Sequence, residues 1–135
     1  MTQRNKFKAI VYVFLLVAGV VILAFFWQYN QSKARDYQRL GDLKLMQQTL
    51  NDYFFRYNTY QIPGCNPPAL VSNCRGTGER LINLGGLSDP LGGSGYQYTI
   101  VSLGDDDFEI EFALETDVAG LLKGYHLYTK SGIKE

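Results

Sequence analysis

The sequence predicts an α+β fold in which one long N-terminal helix packs on a small three-stranded antiparallel sheet. Three patterns lead to this prediction: an uncharged apolar run near the N-terminus, apolar residues at helical spacing after it, and alternating apolar and polar residues in the last third of the chain. The chain has 135 residues, which is room for about one domain. We therefore expect one small globular domain attached to an apolar helix.

A membrane-spanning helix is predicted at 9–29. The run AIVYVFLLVAGVVILAFFW from Ala9 to Trp27 contains 19 residues and no charge. At about 1.5 Å per residue it spans about 29 Å as a helix, which matches the hydrocarbon thickness of a bilayer. Trp27 and Tyr29 then fall where aromatic side chains collect at a membrane interface. A cleaved signal peptide is the alternative, but its apolar core is usually shorter and ends at a small residue rather than at Phe-Phe-Trp.

An amphipathic helix is predicted to continue through 30–57. Apolar residues recur there at steps of three or four, which is the spacing of one helix face. Leu43, Leu50 and Phe54 on this face are predicted to pack against the sheet. The full apolar stripe is Tyr37, Leu40, Leu43, Met46, Leu50, Phe54 and Tyr57, and the opposite side carries Arg35, Asp42, Lys44, Gln48 and Asn51.

A loop region is predicted at 58–95, because this segment holds all four prolines of the chain. Within it, Cys65 and Cys74 enclose the segment CNPPALVSNC, which favours a disulfide, with two free thiols as the alternative. A disulfide persists only outside the cytosol. The cysteines therefore predict that 30–135 is an extracytoplasmic domain and that the basic tail 1–8 is cytoplasmic.

The antiparallel sheet is predicted at 96–129. The segments 96–102 and 108–114 alternate between apolar and polar residues, and the Gly-Asp-rich link between them is typical of a hairpin. A shorter third strand is predicted at 125–129. Three strands with one apolar face need a cover, and the amphipathic helix is the large element available for it.

Charge and composition exclude several classes of function. The formal net charge is zero, but 1–56 carries eight basic and three acidic residues, whereas 57–135 carries five basic and ten acidic ones. An acidic outer half would repel phosphates, so no nucleic-acid partner is predicted. His126 is the single histidine, and no pairing of nucleophile and base is recognisable, so the chain is predicted not to be an enzyme, with no catalytic residue, metal or cofactor.

Two segments carry a resemblance to a known family. The segment KARDYQRLGDLKLMQQTLNDYF at 33–54, with Phe55 after it, resembles the helix of type IV pilin-like proteins and type II secretion major pseudopilins, which reads close to ARDxxRLxDLxxIQxALxxYY. The segment LSDPLG at 87–92, followed by YQY at 96–98, is similar to the L-x-D-P-x-G and Y-x-Y segment that leads into the pseudopilin sheet. The resemblance covers about 30–115.

The resemblance implies a pilin-like lollipop fold and a non-enzymatic structural or assembly role in a type IV pilus or a type II secretion-type system. It implies a single-pass protein of the cytoplasmic (inner) membrane with a periplasmic or extracellular domain. The implied partners are the membrane, other pilin-like or secretion-machinery subunits, and further copies joined through the N-terminal helix. Pseudopilins often hold calcium in the loop after the second strand, but Glu115 and Asp117 there, or Asp105–Asp107 in the preceding hairpin, are few for an ion that takes six to eight oxygens.

The N-terminus is atypical for that family. Family members carry a Gly-Phe cleavage motif followed by a glutamate five residues into the mature chain. Here no glycine precedes Gly19, and the first acidic residue is Asp36. The alternative function is therefore a permanently membrane-anchored extracytoplasmic binding or accessory protein that has a pilin-like fold and does not polymerise.

Overall fold

A computed structural model describes residues 3–93 and 95–134. Within these residues it contains one α-helix and five strands: α1 (Gln3–Tyr57), β1 (Ala69–Leu70), β2 (Thr99–Leu103), β3 (Phe108–Leu114), β4 (Gly124–Thr129) and β5 (Gly132–Lys134). The chain divides into two compact units, Met1–Ser32 and Lys33–Glu135. Met1 and Thr2 of the predicted basic tail lie outside the described residues, as do the side chains of Arg4 and Lys6.

The first unit is the apolar part of α1. Its large apolar side chains from Ile10 to Tyr29 are 41–73% exposed, so the rest of this unit does not cover them. The helix is long and apolar enough to cross a membrane, and a signal sequence near an N-terminus can meet the same criteria of length and composition.

The helix ends at Tyr57, at the predicted boundary. Asn58 adopts the left-handed conformation, with φ of 54°, and its N–H donates to the carbonyl of Phe54 at 2.7 Å. Asparagine tolerates this conformation better than most residues, so Asn58 ends the helix in the manner of a C-cap.

The second unit contains an antiparallel sheet in the order β1-β2-β3-β4-β5. The α+β class is therefore confirmed, but the predicted number of three strands is wrong. The three predicted strands correspond to β2, β3 and β4, and two edge strands were missed. β1 has two residues inside the proline-rich loop, and β5 has three residues after a tight turn at Lys130 and Ser131. Strands of this length are too short to show an alternating pattern in the sequence.

The core of the second unit lies between the later turns of α1 and one face of the sheet. Leu43 and Leu50 are 1% and 0% exposed, and Phe54 is partly buried against the same cluster. The strands contribute the inward residues of the predicted alternation: Ile100, Phe108, Ile110, Phe112 and Leu114. Burying each such side chain contributes about 1.5–3 kcal/mol relative to leaving it in water.

The apolar stripe of α1 does not reach the first turn of the unit. Tyr37, its predicted first member, is 55% exposed, whereas Asp36 and Arg39 are both fully buried. The prediction that Tyr37 belongs to the apolar face is therefore wrong. At this level the interior is ionic.

Candidate functional site

The most distinctive site in the second unit is a buried ionic cluster around Arg39. The guanidinium of Arg39 is fully buried and forms ion pairs with three carboxylates: Asp36 at 2.6 Å, Asp89 at 2.5 Å and Glu115 at 2.7 Å. Glu115 also accepts two hydrogen bonds from Arg35, at 2.8 and 2.6 Å. Three carboxylates and two guanidiniums leave this cluster with one net negative charge.

Asp36 joins the helix to the end of β3. Its side-chain oxygens accept hydrogen bonds from the backbone N–H groups of Glu115 and Thr116, at 3.0 and 2.8 Å. The hydroxyl of Thr116 donates to it as well, at 2.8 Å, and Arg39 donates a fourth bond. Every one of these contacts is a donor, so the carboxylate oxygens of Asp36 serve only as acceptors here.

Asp89 joins the helix to the segment before the sheet. It accepts two hydrogen bonds from the fork of Arg39, and it also accepts one from the backbone N–H of Leu91 at 2.9 Å. The guanidinium carbon of Arg39 lies 4.7 Å from the centroid of the Tyr96 ring, which completes the enclosure with a cation–π contact.

The electrostatics of the cluster follow from this geometry. Burial lowers the pKa of the Arg39 guanidinium, but hydrogen bonds to Asp89, Glu115 and Asp36 outweigh this effect and raise its pKa above the ordinary value. The hydrogen bond to Glu115 likewise raises the pKa of Arg35. Arginine is charged at every physiological pH, so the ion pairs of the cluster persist across this range. Arg39 donates hydrogen bonds but does not release its proton.

The sequence predicted the residues of this cluster only indirectly. Arg35, Asp36 and Arg39 lie in the first segment of the family resemblance, and Asp89 lies in the second. Their pairing was not predicted, although the spacing R-D-x-x-R before an apolar stripe and a distant D-P are the signals that could have suggested it. Glu115 and Thr116 carry no such signal, and Glu115 was considered only as a ligand for calcium.

A second buried polar contact lies between Tyr98 and the helix. The hydroxyl of Tyr98 donates to Asp42 at 2.9 Å, and Tyr98 is 3% exposed. Burial raises the pKa of Tyr98 well above its ordinary value, and the hydrogen bond to Asp42 raises it further. Burial also raises the pKa of Tyr53, Tyr60 and Tyr128.

Tyr98 is expected to make the domain sensitive to alkali. Below the ordinary tyrosine pKa of about 10, both the folded and the unfolded chain keep the proton, so the contribution to stability is complete. Above it, the unfolded chain loses the proton while the folded chain retains it, and stability falls by about 1.4 kcal/mol per pH unit for this group. Urea unfolding of the full chain in detergent at increasing pH measures this slope. Tyr98→Phe is expected to make the slope shallower, and an unchanged slope would contradict the assignment.

Cys65 and Cys74 form a disulfide that closes the loop before the sheet, with Cα atoms 4.8 Å apart. Both sulfur-bearing residues are buried, and β1 lies inside the closed loop. The backbone N–H of Val71 in this loop donates to the carbonyl of Tyr98 at 3.0 Å. The disulfide therefore holds the edge strand in place beside β2.

Removing the disulfide is expected to lower the free energy of unfolding by about 2.7 kcal/mol, the chain-entropy value for a loop of about ten residues. The variant is Cys65→Ala/Cys74→Ala, since alanine leaves no polar group in the buried site. Urea unfolding of the full chain in detergent measures the difference. Thiol labelling of the wild-type chain before and after reduction is the control, and labelling of both cysteines without a reductant would contradict the bond.

The remaining chemistry-bearing side chains have structural partners. His126 stacks on Phe112 with ring centroids 5.4 Å apart, and its Nε2 atom lies 2.7 Å from the carbonyl oxygen of Leu122. Asp105 accepts hydrogen bonds from Thr59 and Gln61. Asp107 accepts the backbone N–H of Phe108, and Asp117 accepts that of Lys123. Among the described residues, no group of three or more His, Cys, Asp or Glu side chains is placed to hold a metal ion.

Comparison with known protein families, curated proteins and solved structures found no match for this chain.

Proposed function

We propose that this chain is a membrane-anchored, non-enzymatic, pilin-like structural or assembly component of a type IV pilus or a type II secretion-type system. The observation that carries the proposal is the single helix α1, which exposes apolar side chains along its first half and supplies the core of the domain with its second half. A contiguous apolar surface of this size marks a membrane or protein interface. A helix of this kind serves to place a domain at a membrane and to pack against other helices.

Helix packing is the proposed mode of action. In lipid the apolar residues of the helix gain nothing from the hydrophobic effect when they meet another helix, so association depends on close packing. The proposed partners are other pilin-like or secretion-machinery subunits and further copies of this chain. The anchoring membrane is proposed to be the cytoplasmic one, with the domain outside, because the Cys65–Cys74 disulfide requires an oxidising compartment.

The ionic cluster supports the likeness to pilins. Arg39 and Asp89 come from the two separate segments that carry the resemblance, and they are paired by two hydrogen bonds. Because the two segments meet in one buried ion pair, each needs the other, which gives a physical reason for both to occur in the same chain. The contact also fixes the helix to the domain at the turn where the domain begins.

A permanently anchored accessory protein is the second candidate, and Asp36 favours it. In the related family a glutamate near the mature N-terminus pairs with the amine of a neighbouring subunit. Asp36 is the first acidic residue of this sequence, and its oxygens already accept four hydrogen bonds inside the domain. It is therefore committed to the fold and does not replace that glutamate.

The intact mass and N-terminal peptide of the protein from its own membranes test the two candidates. A shortened, N-methylated start is the expected result for a processed assembly subunit. A photoreactive residue in place of Phe25, which follows Gly19 and is 69% exposed, should then give adducts with a second copy or with another single-pass subunit. An unprocessed start with no adduct would leave the anchored accessory protein. Recovery of the protein outside the membrane fraction would contradict both candidates.

A further inference from the structure

We propose that the loop between β3 and β4, Asp117–Lys123, is a second contact of this chain with the membrane surface. In this contact Leu122 enters the lipid interface and Lys123 lies at the level of the headgroups. The inference rests on the membrane anchoring in the proposed function and is independent of assembly with other subunits.

The loop and the start of β4 each present one large apolar side chain to solvent. Leu122 is 71% exposed and Tyr125, at the start of β4, is 68% exposed. Both line one groove together with Leu121 and His126. A single exposed leucine needs no explanation, but two exposed apolar side chains that line one groove mark an interaction site.

The loop is held in one conformation by its own hydrogen bonds. Asp117 accepts the backbone N–H of Lys123 at 2.8 Å, which closes the loop at its base. Val118 and Leu121 exchange two backbone hydrogen bonds, at 3.0 and 2.9 Å. Val118 is 3% exposed and anchors the loop in the core, so the exposure of Leu122 is a fixed feature of the fold.

The loop lies at the end of the domain where the helix enters it. β3 runs antiparallel to the helix, because the Phe108 ring at its start packs on Tyr60, just after the last helical turn, at 5.1 Å. At the end of β3, the backbone N–H of Glu115 donates to Asp36, in the first turn of this unit. The connection from β3 to β4 therefore extends beyond the sheet on the side of that first turn.

This end of the domain is close to the membrane along the chain. Asp36 follows Trp27 by nine residues in the sequence, and the headgroup region adds about 5–7 Å to each side of the hydrocarbon core. Lys123 is exposed and suits anionic headgroups.

Tryptophan fluorescence in vesicles tests the proposal. The full chain carries Trp27→Phe to remove its single tryptophan, and Leu122→Trp then reports on the loop. Leu81→Trp in the same background is the matched control, since Leu81 is 68% exposed and lines a groove with Tyr57 at the opposite end of the domain's helix. The vesicles contain phosphatidylcholine with a minority of phosphatidylglycerol, with or without bromine near the headgroup end of the acyl chains. Circular dichroism checks that both variants fold.

The expected result is a blue-shifted Leu122→Trp emission that loses most of its intensity in brominated vesicles, with Leu81→Trp unaffected. Equal quenching of both variants, or of neither, would overturn the proposal. A blue shift without quenching would also overturn it, because it would place Leu122 in a protein contact. Quenching of Trp27 in the wild-type chain tests anchoring separately: with Trp27 quenched and Leu122→Trp not, the anchor stands and the loop contact fails.

Discussion

Replacing Arg39 by methionine is expected to destabilise the domain by about 3–5 kcal/mol, the range found when one partner of a buried ion pair is removed. Methionine keeps much of the volume of the arginine stem but leaves Asp36, Asp89 and Glu115 facing one another without the charge that pairs them. Because small domains are stable by only about 5–15 kcal/mol, this loss is a large fraction of the total. Urea unfolding of the full chain in detergent, followed by near-ultraviolet circular dichroism of the tyrosines, measures it.

Arg35→Met is the matched control. Arg35 pairs with Glu115 as well, but its side chain is 24% exposed, so water can solvate the carboxylate that it leaves. Its loss is expected to be clearly smaller than that of Arg39→Met. The double variant Arg39→Met/Asp89→Asn should be less destabilised than the sum of its single variants, because the second change removes one uncompensated charge. Equal losses in Arg35→Met and Arg39→Met, or strict additivity in the double variant, would contradict the central role of Arg39.

The buried ionic cluster explains why the apolar stripe of α1 was predicted correctly from Leu43 onward but not at Tyr37. Helical periodicity identified the stripe from Leu43 to Tyr57, because the spacing of apolar residues on one helix face can be recognised without knowing which residues of the sheet they contact. It failed at Tyr37, since the interior at that turn is occupied by Asp36 and Arg39. A charged residue in the sequence is expected at the surface, because burial of a charge is unfavourable without a partner. Here most of the partners come from distant parts of the chain, so the sequence pattern alone could not predict the burial.

The strands show a related limit. β3 was predicted at its observed bounds because four inward apolar residues alternate with the outward side chains of Glu109 and Glu111. β1 and β5 could not be found in this way. β1 pairs with β2 through Ala69, which lies opposite Ile100. The two residues of β1 have too little side-chain area to set the register by themselves, and the Cys65–Cys74 disulfide closes the loop that holds them beside β2. The edges of the sheet are thus consequences of tertiary structure, whereas its centre follows from local sequence.

Leu50→Ala is expected to lower the free energy of unfolding by about 2–5 kcal/mol, the range for leucine removed from a packed core. Leu50 is 0% exposed and lies in the cluster between the helix and the sheet. The loss combines the transfer free energy of the deleted methyl groups with the cavity that they leave. Alanine is an equally good helix former, so any effect reports on packing and not on the helix itself.

Leu45→Ala provides the matched control, since Leu45 lies on the same helix and is 49% exposed. The chemistry of the two substitutions is identical, and surface changes usually alter stability by about 0.5 kcal/mol or less. A large loss for Leu50→Ala beside a small one for Leu45→Ala would establish that this helix is part of the domain's core. Similar urea unfolding midpoints for the two variants would contradict that packing. If the helix packs on the sheet through Leu50, removing this buried side chain must destabilise the domain more than removing the exposed Leu45.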